Sequence, residues 1–424
     1  MSTKRTLAKH SLFYTVANGV EALVPFLLAP ILTRSLNPTD YGIWILFITY
    51  ATFMRPLIGM SAPDAIRMRF YDFDQKQLDQ FIHTVLFMMT NVMIFGLIIV
   101  FLFQDFIAVA TKFPAAWLIS IIVAAFLFEV FYTVLAILQF QGERVAFLYT
   151  QITQAVLSMA FILCFIYFDW GWQGVILGRA MGLCVTGVVS LHKLGYSASQ
   201  LLRIPPRSFY RNTASFGLVY VPSGMIIMAM ALIDKVVAAH YLGVAASGIY
   251  AVAALFSSAF WVVNNSFVLA WTPWLFRRLR GDETEKLREV LTVSALYFVT
   301  ASCAAGTIYF FSLWFAPILL GEAFHDAIPL MKYIMIAIIL QGFFMHNMKF
   351  LHNYKKVAIM SACSLIAIIC NLWLSIAWVS EFGIKGVMQA TTVSFATAFV
   401  ISSILVIAQL MQTNKKKVSP IVQQ

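Results

Sequence analysis

Of the 424 residues, 61% are hydrophobic and only 11% charged, with a formal net charge of +11 and a mean hydropathy of +0.85. Soluble globular domains carry about a quarter charged residues. The composition therefore excludes a soluble fold and implies a membrane protein whose surplus cations follow its topology, with no nucleic-acid partner. The five cysteines (Cys164, Cys184, Cys303, Cys363, Cys370) lie in apolar stretches without a Cys-x-x-Cys pair, which points to neither a disulfide framework nor a metal site.

A spanning helix needs roughly 20 mostly apolar residues, and about twelve segments meet that length. They run 11–32, 41–62, 81–104, 114–139, 146–168, 173–194, 213–233, 247–270, 289–311, 327–348, 357–379 and 386–410. No small-residue cleavage site follows the first apolar run, so it is read as a retained helix rather than a signal peptide. Cations collect in the N-terminal tail (Lys4, Arg5, Lys9), in the connections after even-numbered spans (Arg67, Arg144, Arg203, Arg277 and Lys355 among them) and in the tail at Lys415, Lys416 and Lys417. The other side holds only Arg34, Lys112, Lys235, Lys332 and Lys385. Positively charged loops stay in the cytoplasm, which places both termini there.

The chain carries one message twice. Leu36 and Gly42 answer to Leu242 and Gly248, Pro63 and Arg67 to Pro273 and Arg277, Arg144-Val145-Ala146 to Lys356-Val357-Ala358, and Gly171, Gly174 and Val175 to Gly383, Gly386 and Val387. The offset grows slowly from about 206 to about 212, as expected of two copies of one structural unit. An even number of spans per copy inserts both the same way up, with a pseudo-twofold axis along the membrane normal. The predicted organisation is an N-terminal six-helix bundle (1–194), a cytoplasmic linker (195–212), a C-terminal six-helix bundle (213–411) and a cytoplasmic tail (412–424). In the linker, Leu201-Leu202 and Phe209-Tyr210 alternate with Arg203, Arg207 and Arg211 around Pro205-Pro206. That pattern suits a segment lying on the anionic leaflet surface or a solvated connection.

Catalytic matter is missing. No phosphate-cradling GxxxxGK[ST], HExxH or GxSxG stretch is present, and no outside loop is long enough to hold a polar active site. The pattern favours a transporter over an enzyme, with no catalytic residues.

Ionisable groups inside spans are costly and mark function by default. Glu21 shares a helix face with Asn18 and Pro25, which suits either a cavity wall or a carboxylate bonded to a neighbouring hydroxyl. Arg55 precedes Pro56; its guanidinium could grip a phosphate with two donors or snorkel to the headgroups. Glu129 and Arg179 lie in the fourth and sixth spans and could neutralise each other within the first bundle or serve transport. Asp234-Lys235 ends the seventh span, as a local pair or as transport chemistry, and Arg34 sits at similar depth. Pairing the two copies sets Glu21, Arg55, Glu129 and Arg179 against uncharged Ile227, Asn265, Gln341 and Thr391. Coupling to H⁺ or Na⁺ is therefore expected in the first copy, at Glu21 or Glu129.

Two stretches resemble a known family. Pro30-Ile31-Leu32-Thr33-Arg34-x-Leu36-x-Pro38-x-x-Tyr41-Gly42 is similar to the first-helix signature of polysaccharide transporters. Asp234-Lys235-Val236-Val237, followed by Leu242-Gly243 and Gly248-x-Tyr250, is similar to their mid-chain signature. Nearly the whole chain resembles the O-antigen flippases (the Wzx type) of the multidrug/oligosaccharidyl-lipid/polysaccharide (MOP) superfamily. The resemblance implies an all-α integral membrane protein, two six-helix bundles forming a V around a central cavity. It implies alternating-access transfer of an undecaprenyl-diphosphate-linked oligosaccharide from the cytoplasmic to the periplasmic leaflet of a bacterial inner membrane. It also implies ion-gradient coupling, and a polysaccharide polymerase and chain-length regulator as partners. Arg34, Arg55, Arg179, Lys235 and Asn265 would then contact the diphosphate or glycan, and Glu21, Glu129 and Asp234 the coupling ion. Twelve spans rather than fourteen argue against the peptidoglycan-precursor type. The acidic residues of spans 1 and 4 keep a cation-coupled multidrug exporter of the same superfamily as the alternative.

Overall fold

A computed structural model describes residues 19–20, 23–70, 73–196, 204–279, 284–354 and 356–418. Among them the regular structure is helical throughout: α1 (Leu23–Ser35), α2 (Pro38–Gly59), α3 (Ala62–Arg69), α4 (Gln75–Leu102), α5 (Gln104–Thr111), α6 (Leu118–Gln141), α7 (Arg144–Tyr167), α8 (Gly171–Lys193), α9 (Arg207–Leu242), α10 (Val244–Leu279), α11 (Thr284–Leu319), α12 (Met331–Asn353) and α13 (Val357–Val418). Ten helices are long and apolar enough to cross a membrane, and α1 is a shorter apolar helix. The predicted count of about twelve differs from these ten for a physical reason. The long α13 contains a non-helical residue, Gly383 (φ 60°, ψ −143°), at which two helices meet; Asn371 and Thr391 bond across this bend at 3.1 Å, so the two predicted spans on either side of it fall within one element. Packing groups the helices into two compact units, Met1–His240 and Tyr241–Gln424. It sets α9 with the helices before it, whereas the sequence pattern grouped this segment with those after it.

Local chemistry accounts for the element ends. The repeated loop mark at Leu36 to Gly42 is a helix start. Asn37 Oδ1 accepts the amide of Asp40 at 2.9 Å, and Pro38 occupies the first turn, where its missing N–H costs nothing. α4 opens with a reciprocal cap in which Asp74 and Gln77 each accept the other's backbone amide, satisfying two otherwise orphaned donors. Residues 207–212, read as linker, are the first turns of α9, because Pro206 accepts from the Tyr210 amide at 3.1 Å and a proline pre-sets the helical start. The Leu201-Leu202-Arg203 stretch lies outside the described residues.

Close approach of α7 and α8 rests on a small-residue stripe. Gly174, Gly178 and Gly182 face Phe165, Ile162 and Ser158 so tightly that an added Cβ would lie 2.7 Å from the Phe165 Cβ and 2.8 Å from the Ile162 Cα. Apolar tails solvate leucine as well as another helix does, so packing of small residues drives association in lipid. The second unit repeats the device: Gly386 presses on the Trp378 carbonyl, and Ala390 and Ser394 follow on the same buried stripe.

Candidate functional site

The first unit centres its charge where α2 ends. Pro56 lies inside α2 and cannot donate to the preceding turn. Three residues later the helix closes: the Met60 amide bonds the Leu57 carbonyl at 3.3 Å and the Ser61 amide the Pro56 carbonyl at 3.2 Å. Met60 (φ 49°) and Ser61 (φ 53°) are both left-handed, at roughly 1–2 kcal/mol per non-glycine residue. Such strain persists only where the surroundings hold it, and it clusters at functional sites. Here α9 does the holding. Gly217 abuts Met60, and Gly224 abuts Pro56, where a Cβ would come within 2.8 Å.

Arg55 stands one residue before this bend. Its Nε donates to Glu129 Oε1 on α6 at 3.0 Å, with the Glu129 side chain 4% exposed and that of Arg55 20%. The guanidinium carbon lies 4.0 Å over the Tyr132 ring. Glu129 Oε2 is buried without a hydrogen-bond partner among the described residues. Space for the carboxylate comes from Gly59, whose added Cβ would fall 2.7 Å from the Glu129 carboxyl carbon. On the other flank, the Arg179 guanidinium of α8 lies 5.2 Å over the Phe128 ring. The carboxylate that the sequence set against Arg179 bonds Arg55 instead, because Gly59 opens α2, rather than α8, to the Glu129 side chain. Helices α2, α6 and α8 thus bring two guanidinium groups to the same ring, Phe128, beside one buried carboxylate. Arg55 uses only its Nε on Glu129. Its two terminal amino groups retain the fork that suits a phosphate.

The second unit holds a neutral counterpart. Asn265, the residue matched to Arg55, is exposed, and its neighbour Asn264 is buried and accepts from the Tyr297 hydroxyl at 2.5 Å. His346, fully buried, bonds Ser294 Oγ through Nε2 at 3.0 Å. It is sandwiched between Trp271 (3.8 Å between ring centres) and Tyr297 (4.5 Å). Sequence reasoning passed over His346, since it weighed only carboxylates, lysines and arginines within spans. A lone histidine in an apolar helix one turn after Gly342 was the available signal. Thr391, matched to Arg179, is buried and accepts from Asn371 Nδ2 at 3.1 Å, a tie within α13. Gln341, matched to Glu129, is half-buried.

Of the remaining candidates, the described ones lie on α1 and α9. Arg34 is exposed at the end of α1. Asp234 and Lys235, expected to end a span, lie inside α9, which continues to Leu242; Asp234 is buried and Lys235 half-buried. Glu21 lies outside the described residues. Among the described residues, no group of three or more His, Cys, Asp or Glu is placed to hold a metal.

Comparison with known proteins follows the same direction. The family model described as "Polysaccharide biosynthesis protein" matches residues 7–279. The chain belongs to the polysaccharide biosynthesis protein family. A protein of Haemophilus influenzae described only as an uncharacterized membrane protein is 22% identical over 294 residues, 67% of this chain and 69% of that protein. Among solved structures, the inward-facing form of a multidrug resistance MATE family transporter of the MOP superfamily has a TM-score of 0.72 at 16% identity, covering 91% of this chain and 95% of that one. The outward-facing form of such a transporter has a TM-score of 0.61, covering 97% of each chain. A MOP superfamily transporter from Pyrococcus furiosus, reported with a binding pocket of reverse polarity, has a TM-score of 0.57 at 16% identity, covering 96% of each chain. This member of the polysaccharide biosynthesis protein family is a multi-pass membrane protein with the fold of MOP superfamily transporters.

Proposed function

We propose that the protein is a flippase that moves an undecaprenyl-diphosphate-linked oligosaccharide from the cytoplasmic to the periplasmic leaflet of a bacterial inner membrane by alternating access, both termini being cytoplasmic. The Arg55–Glu129 pair is the observation that carries this reading. A lipid diphosphate is anionic and cannot cross hydrocarbon unaided. Arg55 offers a half-buried guanidinium fork, held by one hydrogen bond and flanked by the Tyr132 and Phe128 rings, beside a second guanidinium at Arg179. Membership of the polysaccharide biosynthesis protein family supports the glycan as cargo. Glu129, with one carboxylate oxygen unbonded, is the group on which H⁺ or Na⁺ coupling would act: a cation bound there competes with Arg55 for the carboxylate and frees the guanidinium. A polymerase and a chain-length regulator would take the product on the far side.

The test is reconstitution. Purified protein in liposomes should carry a labelled lipid-diphosphate glycan to the opposite leaflet, and Arg55→Gln should reduce the rate at least about tenfold with the protein still inserted. Equal rates for both proteins would overturn the assignment. A cation-coupled multidrug exporter is the second reading, favoured by the same unbonded carboxylate oxygen. It requires that overexpression raise resistance to cationic dyes, and unchanged resistance removes it.

A further inference from the structure

We propose that the first unit holds one acyl chain of a bilayer phospholipid in a groove between α2, α4, α5 and α6, a site independent of what is transported. A cavity of about 390 Å³ lies between these helices, whereas packed interiors leave few voids larger than a water molecule. One stripe on each helix forms its wall: Met54 and Ile58 on α2, Val92 and Val100 on α4, Ile107 on α5 and Ile122 on α6. Among the described residues, only Tyr50 and Thr111 bring a polar side chain to it, and both are bonded within the protein. The Tyr50 hydroxyl donates to the Thr111 carbonyl at 2.8 Å, and the Thr111 hydroxyl to the Ile107 carbonyl at 2.7 Å. Such a wall suits hydrocarbon rather than water, which needs two or more polar partners to stay in a cavity.

What reaches the groove is set by its rim. Leu57, Phe95 and Ile99 are exposed on helices long and apolar enough to cross a membrane, so the opening faces hydrocarbon. The size fits one chain. At roughly 30 Å³ for a group the size of water, the cavity takes about thirteen methylenes, most of one phospholipid acyl chain and far short of an undecaprenyl tail. From Val92 to Val100 the wall climbs about 12 Å at 1.5 Å per residue, close to the roughly 15 Å that one leaflet contributes to a hydrocarbon core. α5 closes one end: α4 stops at Phe103 (φ −119°, ψ 22°), and the Tyr50 bond holds Thr111, the last residue of α5, to α2.

The second unit supplies a control. At the offset of 210 that joins Pro63 to Pro273, Tyr50, Leu57, Phe95 and Ile99 answer to Phe260, Phe267, Ala305 and Tyr309. Phe260 and Ala305 are buried there in one apolar cluster with Tyr297 and Met335, and Phe267 and Tyr309 pack against it. Phe95 is 64% exposed and Ala305 0%. The place that the second copy fills with its own rings is left open in the first. Lipid tails are as apolar as leucine, so the chain is held by packing within the groove and not by escape from water.

The experiment uses the full-length protein in phosphatidylcholine liposomes doped with a phosphatidylcholine whose acyl chain carries a photoreactive diazirine. After illumination, mass spectrometry locates the labelled residues. Ile58, Leu118 and Ile122 should be labelled, although they are buried and beyond the reach of lipid that only surrounds the protein. Val92→Trp fills the groove and should lower that labelling about tenfold, while Phe310, exposed on α11, keeps its own. Met54→Phe fills the groove from α2 and gives the same reading if Val92→Trp does not fold; elution profile and melting temperature show which variants are intact. Labelling confined to exposed residues of the wild-type protein, or undiminished labelling of Ile58 and Ile122 in an intact filled variant, would overturn the site. A diazirine-bearing farnesyl phosphate that labels this wall where the phospholipid probe does not would overturn the acyl chain as occupant. Arg55→Gln, which tests the transport reading, should leave the labelling unchanged.

Discussion

Gly59 and Glu129 belong to different helices, yet each is possible only because of the other: a Cβ on Gly59 would lie 2.7 Å from the carboxyl carbon, carboxyl oxygen and Cγ of Glu129. The glycine lets a carboxylate reach α2 at the level of Arg55, and the carboxylate in turn holds Arg55 beside the strained bend at Met60 and Ser61.

Gly59→Ala should therefore cost about 1–3 kcal/mol, the usual penalty for overpacking, and should break the Arg55–Glu129 bond by displacing the carboxylate. The expected readouts are a lower melting temperature in detergent and impaired transport. Gly306→Ala is the reference, since nothing lies within 4 Å of its added Cβ. An equal, small change in both proteins would show that Glu129 relaxes without loss.

Removing one partner of a buried ion pair strands the other charge, at about 3–5 kcal/mol, whereas removing both is much milder. Glu129→Ala should accordingly destabilise more than the Arg55→Gln, Glu129→Gln double variant. Denaturation of the single and double variants measures the coupling. Additive losses would mean that the 3.0 Å bond contributes nothing.

Glu129→Gln keeps an acceptor for the Arg55 Nε but carries no negative charge to attract Na⁺ and takes up no proton at neutral pH. Transport should lose its dependence on the ion gradient while the protein remains folded. A rate that still follows the imposed gradient places the coupling group elsewhere, with Glu21 the next to test.

In the second unit, His346→Ala should open a cavity between Trp271 and Tyr297 and cost about 2–4 kcal/mol, by analogy with other large-to-small changes in packed interiors. Tyr297→Phe removes only the bond to Asn264, worth about 1 kcal/mol, plus the cost of leaving a buried acceptor unsatisfied. Thermal melts that rank these in the opposite order would show that the hydrogen bonds, and not the ring stack, hold the cluster.

Gly178→Leu should prevent α7 from seating on α8, because the added side chain meets the Ile162 backbone rather than a flexible tip. The measurement is yield and monodispersity after solubilisation. A monodisperse protein at wild-type yield would mean that the two helices can separate without consequence.

Much of the architecture was legible because bilayer thickness imposes a length and a composition on every span, and because the repeat marks are local. Asn37-Pro38 caps a helix whatever packs against it, and Gly383 breaks one for its own backbone reasons. Arg55 and Glu129 were also visible as charges in apolar runs. Their pairing was not, since they are 74 residues apart, and Arg179 is an equally plausible partner by charge alone. Asn264 and Asn265 are chemically identical neighbours, and only the helix phase relative to α11 and α12 decides that the first is buried.

By itself, then, the sequence determined a membrane-embedded, all-helical chain and showed the charges in its apolar runs. These follow from hydropathy and local backbone preference, which act over a few turns of helix. The tertiary structure alone decided which arginine Glu129 holds and that His346 is stacked between two rings. Those are contacts between helices, and in lipid they depend on where glycines allow two backbones to approach.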